Sequence, residues 1–142
     1  MKRILLVLAL AFGTSTFAQI EVTETVKPET IYLQAMGFHG LYKTKLNDST
    51  YVYSMTFKDS QYQQISSYET IYFETIDDMK QFFNIVLSVL ESKEDKTLKF
   101  LDQTVDVRFS SNVVKVYEGS SFCYFNKKWA QRCLDALQWL DS

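Results

Sequence analysis

The fold is decided by residues 70–90, TIYFETIDDMKQFFNIVLSVL, where a strand leads directly into an amphipathic helix. Thr75 and Asp78 have the spacing of a capping box, and acidic side chains in the first turn suit the positive end of the helix dipole. The apolar residues that follow recur at helical spacing: Ile76, Met79, Phe82, Phe83, Val86, Leu87 and Leu90. A stripe of this width predicts a helix that lies flat on a sheet.

Strand patterns occur on both sides of this helix. Residues 41–46 and 51–57 alternate with a period of two around the turn-forming residues 47–49, which predicts a hairpin. Beyond the helix, predicted strands cover residues 98–101, 105–109, 113–117 and 121–125, and Asn126 is the predicted N-cap of a second helix. Runs of strands that each end in a helix predict an α+β fold, with a mostly antiparallel sheet of five to seven strands and both helices on one face.

The order of strands then helix occurs twice, which raises the question of a weak internal duplication. Tyr72-Phe73 precedes the predicted cap Thr75, and Tyr124-Phe125 precedes the predicted cap Asn126. The alternative is that aromatic residues are simply common in the strands of this chain.

The N-terminal segment predicts export. A basic start (Met1 to Arg3), an apolar run over residues 4–12 and small residues up to Ala18 are typical of a secretory signal peptide cleaved between Ala18 and Gln19. A buried N-terminal element is the alternative. The short basic region favours a bacterial source, so we expect a periplasmic or secreted protein. Residues 1–18 are then the signal peptide, residues 19–29 a loose acidic lead-in, and residues 30–142 a single domain.

Composition excludes several classes of protein. The chain has 15 basic and 17 acidic residues, a net charge of −2, which argues against nucleic-acid binding. No second apolar stretch is long enough for a membrane span. His39 is the only histidine, and its position between Gly37 and Gly40 predicts a surface loop. Without a catalytic motif or enough ligands for a closed metal site, we expect no enzymatic activity, no metal and no cofactor.

Cys123 and Cys133 form the one candidate disulfide. If the second helix folds back over the preceding strand, their Cα atoms stand about 7 to 8 Å apart. Disulfides usually need a Cα separation of about 4.4–6.8 Å, so a bridge and two buried thiols both remain open. A second candidate modification is O-glycosylation at Asp48-Ser49-Thr50, which is similar to a bacterial periplasmic acceptor, with ordinary turn chemistry as the alternative.

The strand alternation also predicts a basic outer face on the sheet. The candidate partner face consists of Lys43, Lys45, Lys58, Arg108, Lys115 and Tyr117. Such a face suits an unknown protein, an anionic glycan or a lipid head group. The alternative is a set of solvated side chains that discourage aggregation, and a register shift of one residue would turn the set inward.

We therefore expect an exported, soluble, non-enzymatic binding or envelope-associated domain of unknown ligand. The alternative function is a secreted or periplasmic inhibitor, or an immunity-like protein, that acts on a partner enzyme.

Overall fold

A computed structural model describes residues 27–34, 39–47, 49–61 and 67–140 of the protein. The predicted signal peptide, its cleavage site between Ala18 and Gln19, the lead-in up to residue 26, and Asp48 of the candidate glycosylation turn lie outside the described residues.

The described chain consists of two groups of four strands, each followed by a helix. The first group is β1 (Glu29–Leu33), β2 (His39–Lys45), β3 (Tyr51–Lys58), β4 (Tyr68–Phe73) and α1 (Ile76–Ser92). The second group is β5 (Lys96–Phe100), β6 (Gln103–Ser110), β7 (Val113–Glu118), β8 (Ser121–Phe125) and α2 (Lys127–Leu140). The order of strands then helix noted in the sequence is thus the order of the structure.

Each group of strands forms its own antiparallel sheet, in chain order. The first sheet runs β1-β2-β3-β4 and the second runs β5-β6-β7-β8. The α+β class and the antiparallel pairing are therefore confirmed. The prediction of a single sheet of five to seven strands is not, because the eight described strands are divided between two sheets of four.

The predicted helix caps are present. The Thr75 hydroxyl accepts a hydrogen bond from the Asp78 backbone N–H at 3.1 Å, and the Asp78 carboxylate accepts one from the Thr75 N–H at 3.3 Å, which completes a capping box. The side-chain oxygen of Asn126 accepts from the Trp129 N–H at 2.8 Å at the start of α2. Local sequence thus fixes where both helices begin.

A single hydrophobic core lies between the helices and the two sheets. The helices pack on each other, and each of them also contacts strands of both sheets, so the predicted placement of both helices on one face of one sheet is not confirmed. Buried residues come from all parts of the described fold, and the largest are Leu41, Met55, Phe57, Ile71, Phe73, Met79, Phe82, Phe83, Phe125 and Leu137. Because every element contributes to this core, neither half buries its apolar face alone.

The two sheets are joined at one place through the residues that follow β3. The buried Asp59 carboxylate accepts hydrogen bonds from the backbone N–H groups of Gln61 at 3.0 Å and Phe122, in β8, at 3.1 Å. The Ser60 N–H donates to the Phe122 carbonyl at 2.8 Å. Burial raises the pKa of Asp59, but these N–H groups and the Ser121 hydroxyl outweigh it, so the pKa lies below its usual value.

The second junction between the sheets is made by a side-chain amide. Gln103, at the start of β6, accepts a hydrogen bond from the Tyr72 N–H and donates one to the Tyr72 carbonyl, each at 2.8 Å. These two bonds have the same pattern as one backbone pair in an antiparallel ladder. They are made to β4, which is the edge strand of the first sheet opposite β1.

Replacement of Gln103 by alanine should lower the free energy of unfolding by about 1 kcal/mol, because two hydrogen bonds between the sheets are lost. Gln131→Ala is the matched control, since the exposed Gln131 amide bonds only to Asp135 on its own helix. We expect a loss of under about 0.5 kcal/mol there. Urea unfolding measures both values, and equal losses would contradict a special role for Gln103.

Candidate functional site

The outer face of the second sheet carries a concentrated group of cationic and aromatic side chains. Val107, Val116 and Cys123 point into the core, so the residues between them along β6, β7 and β8 point outward. The outward residues at the centre of this surface are Arg108, Lys115, Tyr117, Phe122 and Tyr124. We call these five residues the aromatic–cationic face.

Two cations stand directly opposite each other on this face. The strand register pairs Arg108 of β6 with Lys115 of β7. Like charges in directly opposed positions destabilise a sheet. Asp106 compensates part of this charge, since its carboxylate oxygen lies 3.4 Å from an Arg108 nitrogen. Because the Arg108 side chain is 56% exposed, this ion pair contributes little, and the face keeps an excess of positive charge.

The aromatic rings hold these cations at the surface. The Arg108 guanidinium carbon lies 5.2 Å from the centre of the Tyr117 ring, and the Lys115 ammonium lies 5.3 Å from Phe122 and 5.6 Å from Tyr124. The rings also contact one another, with centroid distances of 5.1 Å between Tyr117 and Phe122 and 5.4 Å between Phe122 and Tyr124. Positive groups and ring surfaces therefore alternate across the face in a fixed arrangement.

The structure brings together only half of the predicted partner face. Arg108, Lys115 and Tyr117 lie on the aromatic–cationic face, as the alternation predicts. Lys58 lies on the outer side of the first sheet, paired with Tyr68. The six predicted residues are thus divided between two sheets.

The predicted orientation of Lys43 and Lys45 is wrong. Both lie on the same side of β2 as Leu41, which is fully buried and pairs with the buried Met55. The strand extends past the end of the core, so these core-side positions reach the surface, and the Lys43 ammonium lies 4.4 Å from the centre of the Tyr51 ring. The sequence pattern around them was ambiguous, because a tyrosine and a threonine occupy the alternate positions.

Phe122 and Tyr124 were missed as members of the face. The alternation of Phe122 and Tyr124 with Cys123 and Phe125 contains the necessary signal, since the second pair is buried. Without knowledge that β8 pairs with β7, the two rings could not be placed beside Lys115.

His39 is buried, which contradicts the predicted surface loop. It is the first residue of β2 and pairs with the buried Phe57 on the core side of the sheet. Its ring stacks on Phe125 at 4.3 Å between centroids, and Nδ1 donates a hydrogen bond to the Gln34 side-chain oxygen. Burial disfavours the imidazolium and lowers the pKa of His39 to about 4, an effect that the Tyr124 backbone only partly offsets.

The two cysteines are unpaired in the structure, and both are buried. Burial raises the pKa of Cys133 to about 12. Burial, together with the charges of Cys133 and Asp59, raises the pKa of Cys123 well above its ordinary value. Of the two alternatives left open by the sequence, the structure has the pair of buried thiols. Since the thiolate is the reactive form, neither sulfur is activated for nucleophilic chemistry.

The part of the chain that the structure describes contains no candidate metal cluster and no candidate membrane-spanning helix. The described residues contain no group of three or more His, Cys, Asp or Glu side chains that could hold a metal ion. Of the two helices in the same part of the chain, neither combines the length and the apolar content needed to cross a membrane.

Comparison with known proteins found no match for this chain among protein-family models, curated proteins or solved structures.

The buried His39 should make stability depend on pH. An unfolded histidine with a pKa of 6.5 gains a proton well before folded His39, whose pKa is about 4. The unfolded state therefore binds more protons between these values, and the free energy of unfolding should fall by about 3 kcal/mol as pH drops from 6.5 to 4.

Urea unfolding at pH 7 and pH 4.5 measures this effect, with His39→Phe as the non-titrating comparison. Asp59 does not account for this loss of stability. Its pKa is lowered from 3.8, so it stabilises the fold above about pH 3.8, and that stabilisation is lost only at lower pH, outside the range from pH 7 to pH 4.5. An equal loss of stability in the wild-type protein and in His39→Phe would contradict the assignment to His39.

The native thiols should resist alkylation. A rise in the pKa of Cys133 from 9.0 to about 12 lowers its thiolate fraction at pH 8 about a thousandfold, and burial adds a steric barrier. We expect iodoacetamide to modify neither cysteine of the native protein within hours and both cysteines in urea, as measured by mass spectrometry. The added cysteine of Ser120→Cys, at an exposed turn, is the reactive control. A single modified thiol, or none, in unreduced urea would contradict two free thiols.

Proposed function

We propose that the protein is an exported, soluble, non-enzymatic binding domain, and that the aromatic–cationic face binds an anionic glycan. The observation that carries this proposal is the direct opposition of Arg108 and Lys115 on an exposed sheet face. A like-charge pair lowers stability in the free protein. An acidic ligand would compensate both charges at once.

Charge distribution supports an anionic ligand. The whole chain carries a net charge of −2, yet the outward residues of the second sheet include Lys99, Arg108 and Lys115 against the single carboxylate Asp106. A local excess of positive charge attracts acidic partners.

The aromatic rings favour a glycan over the other anionic partners considered. Tyr117, Phe122 and Tyr124 are half-buried and held by contact with one another, so they form a fixed surface rather than side chains free to insert into a lipid layer. A sheet face with alternating cations and aromatic rings fits an extended polymer whose sugar rings carry carboxylates at regular intervals. The guanidinium of Arg108 can bind such a carboxylate with two hydrogen bonds.

Three groups elsewhere in the fold support the non-enzymatic part of the proposal. His39 is only 2% exposed, and its ring is covered by Phe125 and Trp129. Cys123 and Cys133 are held as thiols by burial. The residues best suited to nucleophilic or acid–base chemistry are therefore used in packing.

The proposal predicts retention of the protein on immobilised alginate, a polyuronate, and weaker retention as NaCl is raised, because exposed charge pairs are screened. Neutralising both cations, with Arg108→Gln and Lys115→Gln together, should remove most of the retention. Stability should change by under about 0.5 kcal/mol per substitution.

The matched control is Lys43→Gln with Lys45→Gln, which removes the same charge from the first sheet and should leave retention unchanged. Equal losses of retention in the two double variants would mean that retention depends only on net charge. That result would contradict binding at the aromatic–cationic face. Stronger binding to vesicles of anionic phospholipid than to alginate would replace the glycan by a lipid head group.

The inhibitor or immunity-like alternative is favoured by one feature, the turn between β5 and β6. Leu101 is 48% exposed and has a φ of +50°, a conformation that bulky residues rarely adopt. An apolar side chain held at the tip of a hairpin is suited to insertion into a cleft of another protein. Retention of a partner protein that Leu101→Asp abolishes, with no alginate binding, would support this second function.

A further inference from the structure

The aromatic–cationic face has a negatively charged residue at its border. Asp106 is two residues before Arg108 on β6 and directly opposite Tyr117 of β7, so its side chain points to the same outer side of the sheet. The Cα atoms of Asp106 and Arg108 are about 7 Å apart, the length of two residues along a strand. Any ligand bound to Arg108 therefore has this carboxylate as a neighbour.

Two contacts fix the position of the Asp106 carboxylate. One oxygen accepts a hydrogen bond from the hydroxyl of Thr97, which is directly opposite on β5, at 2.7 Å. The other oxygen lies 3.4 Å from a nitrogen of Arg108. The Asp106 side chain is only 29% exposed, whereas that of Arg108 is 56% exposed. The carboxylate is therefore a constant part of the surface, while Arg108 remains open to a ligand.

Cations lie on both sides of Asp106 along the outer face of the sheet. Arg108 follows it on β6. Lys99 of β5 is opposite Thr104, which precedes Asp106 by two residues and points to the same side. The backbone positions of the two cations are about 13 Å apart, or four residues along a strand. A ligand fits this order of charges when its anionic groups are far enough apart to leave the position over Asp106 empty.

A second carboxylate near Arg108, that of Asp95, does not belong to the outer face. Asp95 lies just before β5, and one of its oxygens accepts a hydrogen bond from the backbone N–H of Phe109 at 2.8 Å. Backbone N–H groups of a strand point within the plane of the sheet, so this carboxylate lies beside β6 rather than over it. Asp106 is therefore the carboxylate that a ligand on the face meets.

We propose that Asp106 makes the aromatic–cationic face selective for polymers with one carboxylate on each sugar ring and against densely sulfated polymers. The inference rests on the proposed binding of an anionic glycan. Specific sites often contain a repulsive element that acts against the wrong ligand. A polymer with several sulfates on each ring cannot leave the position over Asp106 free of negative charge. In water, the repulsion between two negative charges about 7 Å apart weakens binding about threefold.

The test compares the apparent Kd of the protein for soluble alginate with that for dextran sulfate, at one low NaCl concentration because salt screens exposed charges. In Asp106→Asn, we expect the affinity for dextran sulfate to rise at least about threefold more than the affinity for alginate. Asparagine keeps the shape of aspartate and an acceptor oxygen for the Thr97 hydroxyl, so the substitution changes only the charge.

Ser110 allows the opposite change. Like Asp106, it is two residues from Arg108 on the same side of β6. Ser110→Asp should lower the affinity for dextran sulfate about threefold relative to that for alginate. Asp106→Asn together with Ser110→Asp restores the net charge of the wild-type protein, and the ratio of the two affinities should return to within about twofold of the wild-type value.

The control for net charge is Glu91→Gln, which removes one negative charge from an exposed position on α1 and should leave the ratio unchanged. An equal change of the ratio in Glu91→Gln and Asp106→Asn would overturn the inference. So would an unchanged ratio in Asp106→Asn or in Ser110→Asp. A ratio that stays constant while both affinities fall in Asp106→Asn would show that Asp106 only holds Arg108 in place.

These outcomes leave the proposed function intact as long as alginate binding by the wild-type protein requires Arg108 and Lys115. Wild-type protein that does not bind alginate, or that binds it equally well without these two cations, would contradict the proposed function itself and the selectivity with it.

Discussion

A buried carboxylate determines how the two halves of this protein meet. Asp59 is 1% exposed, and its carboxylate accepts hydrogen bonds from the backbone N–H groups of Gln61, in the turn after β3, and Phe122, in β8. A buried negative charge is costly unless donors surround it, so this arrangement is strongly favoured over any relative shift of β3 and β8.

Gln103 fixes the other junction by a different physical means. Its amide is neutral, and it satisfies the backbone of Tyr72 where a neighbouring strand would otherwise do so. The backbone of Tyr72, at the edge of the first sheet, is therefore hydrogen-bonded although no continuous ladder joins the two sheets at this point. The described contacts between the two sheets at these junctions are side-chain hydrogen bonds and one backbone hydrogen bond, from Ser60 to Phe122, and not a ladder.

Division into two sheets creates the candidate site on the second sheet. The second sheet keeps one face outside the core, and this face carries the opposed cations Arg108 and Lys115. Among the described strands, β5 pairs only with β6 and is an edge strand of this sheet.

The sequence by itself determined the local structure of this protein: both helices, their caps at Thr75 and Asn126, the β2–β3 hairpin and the outward positions of Arg108, Lys115 and Tyr117. These features depend on periodicity and on hydrogen bonds between residues a few positions apart. Only the tertiary structure decided the division into two sheets, the burial of His39, the core-side orientation of Lys43 and the contact of Phe122 and Tyr124 with Lys115. Each of these depends on which distant strands pair and on where the core ends, and alternation along a single strand contains no information about either.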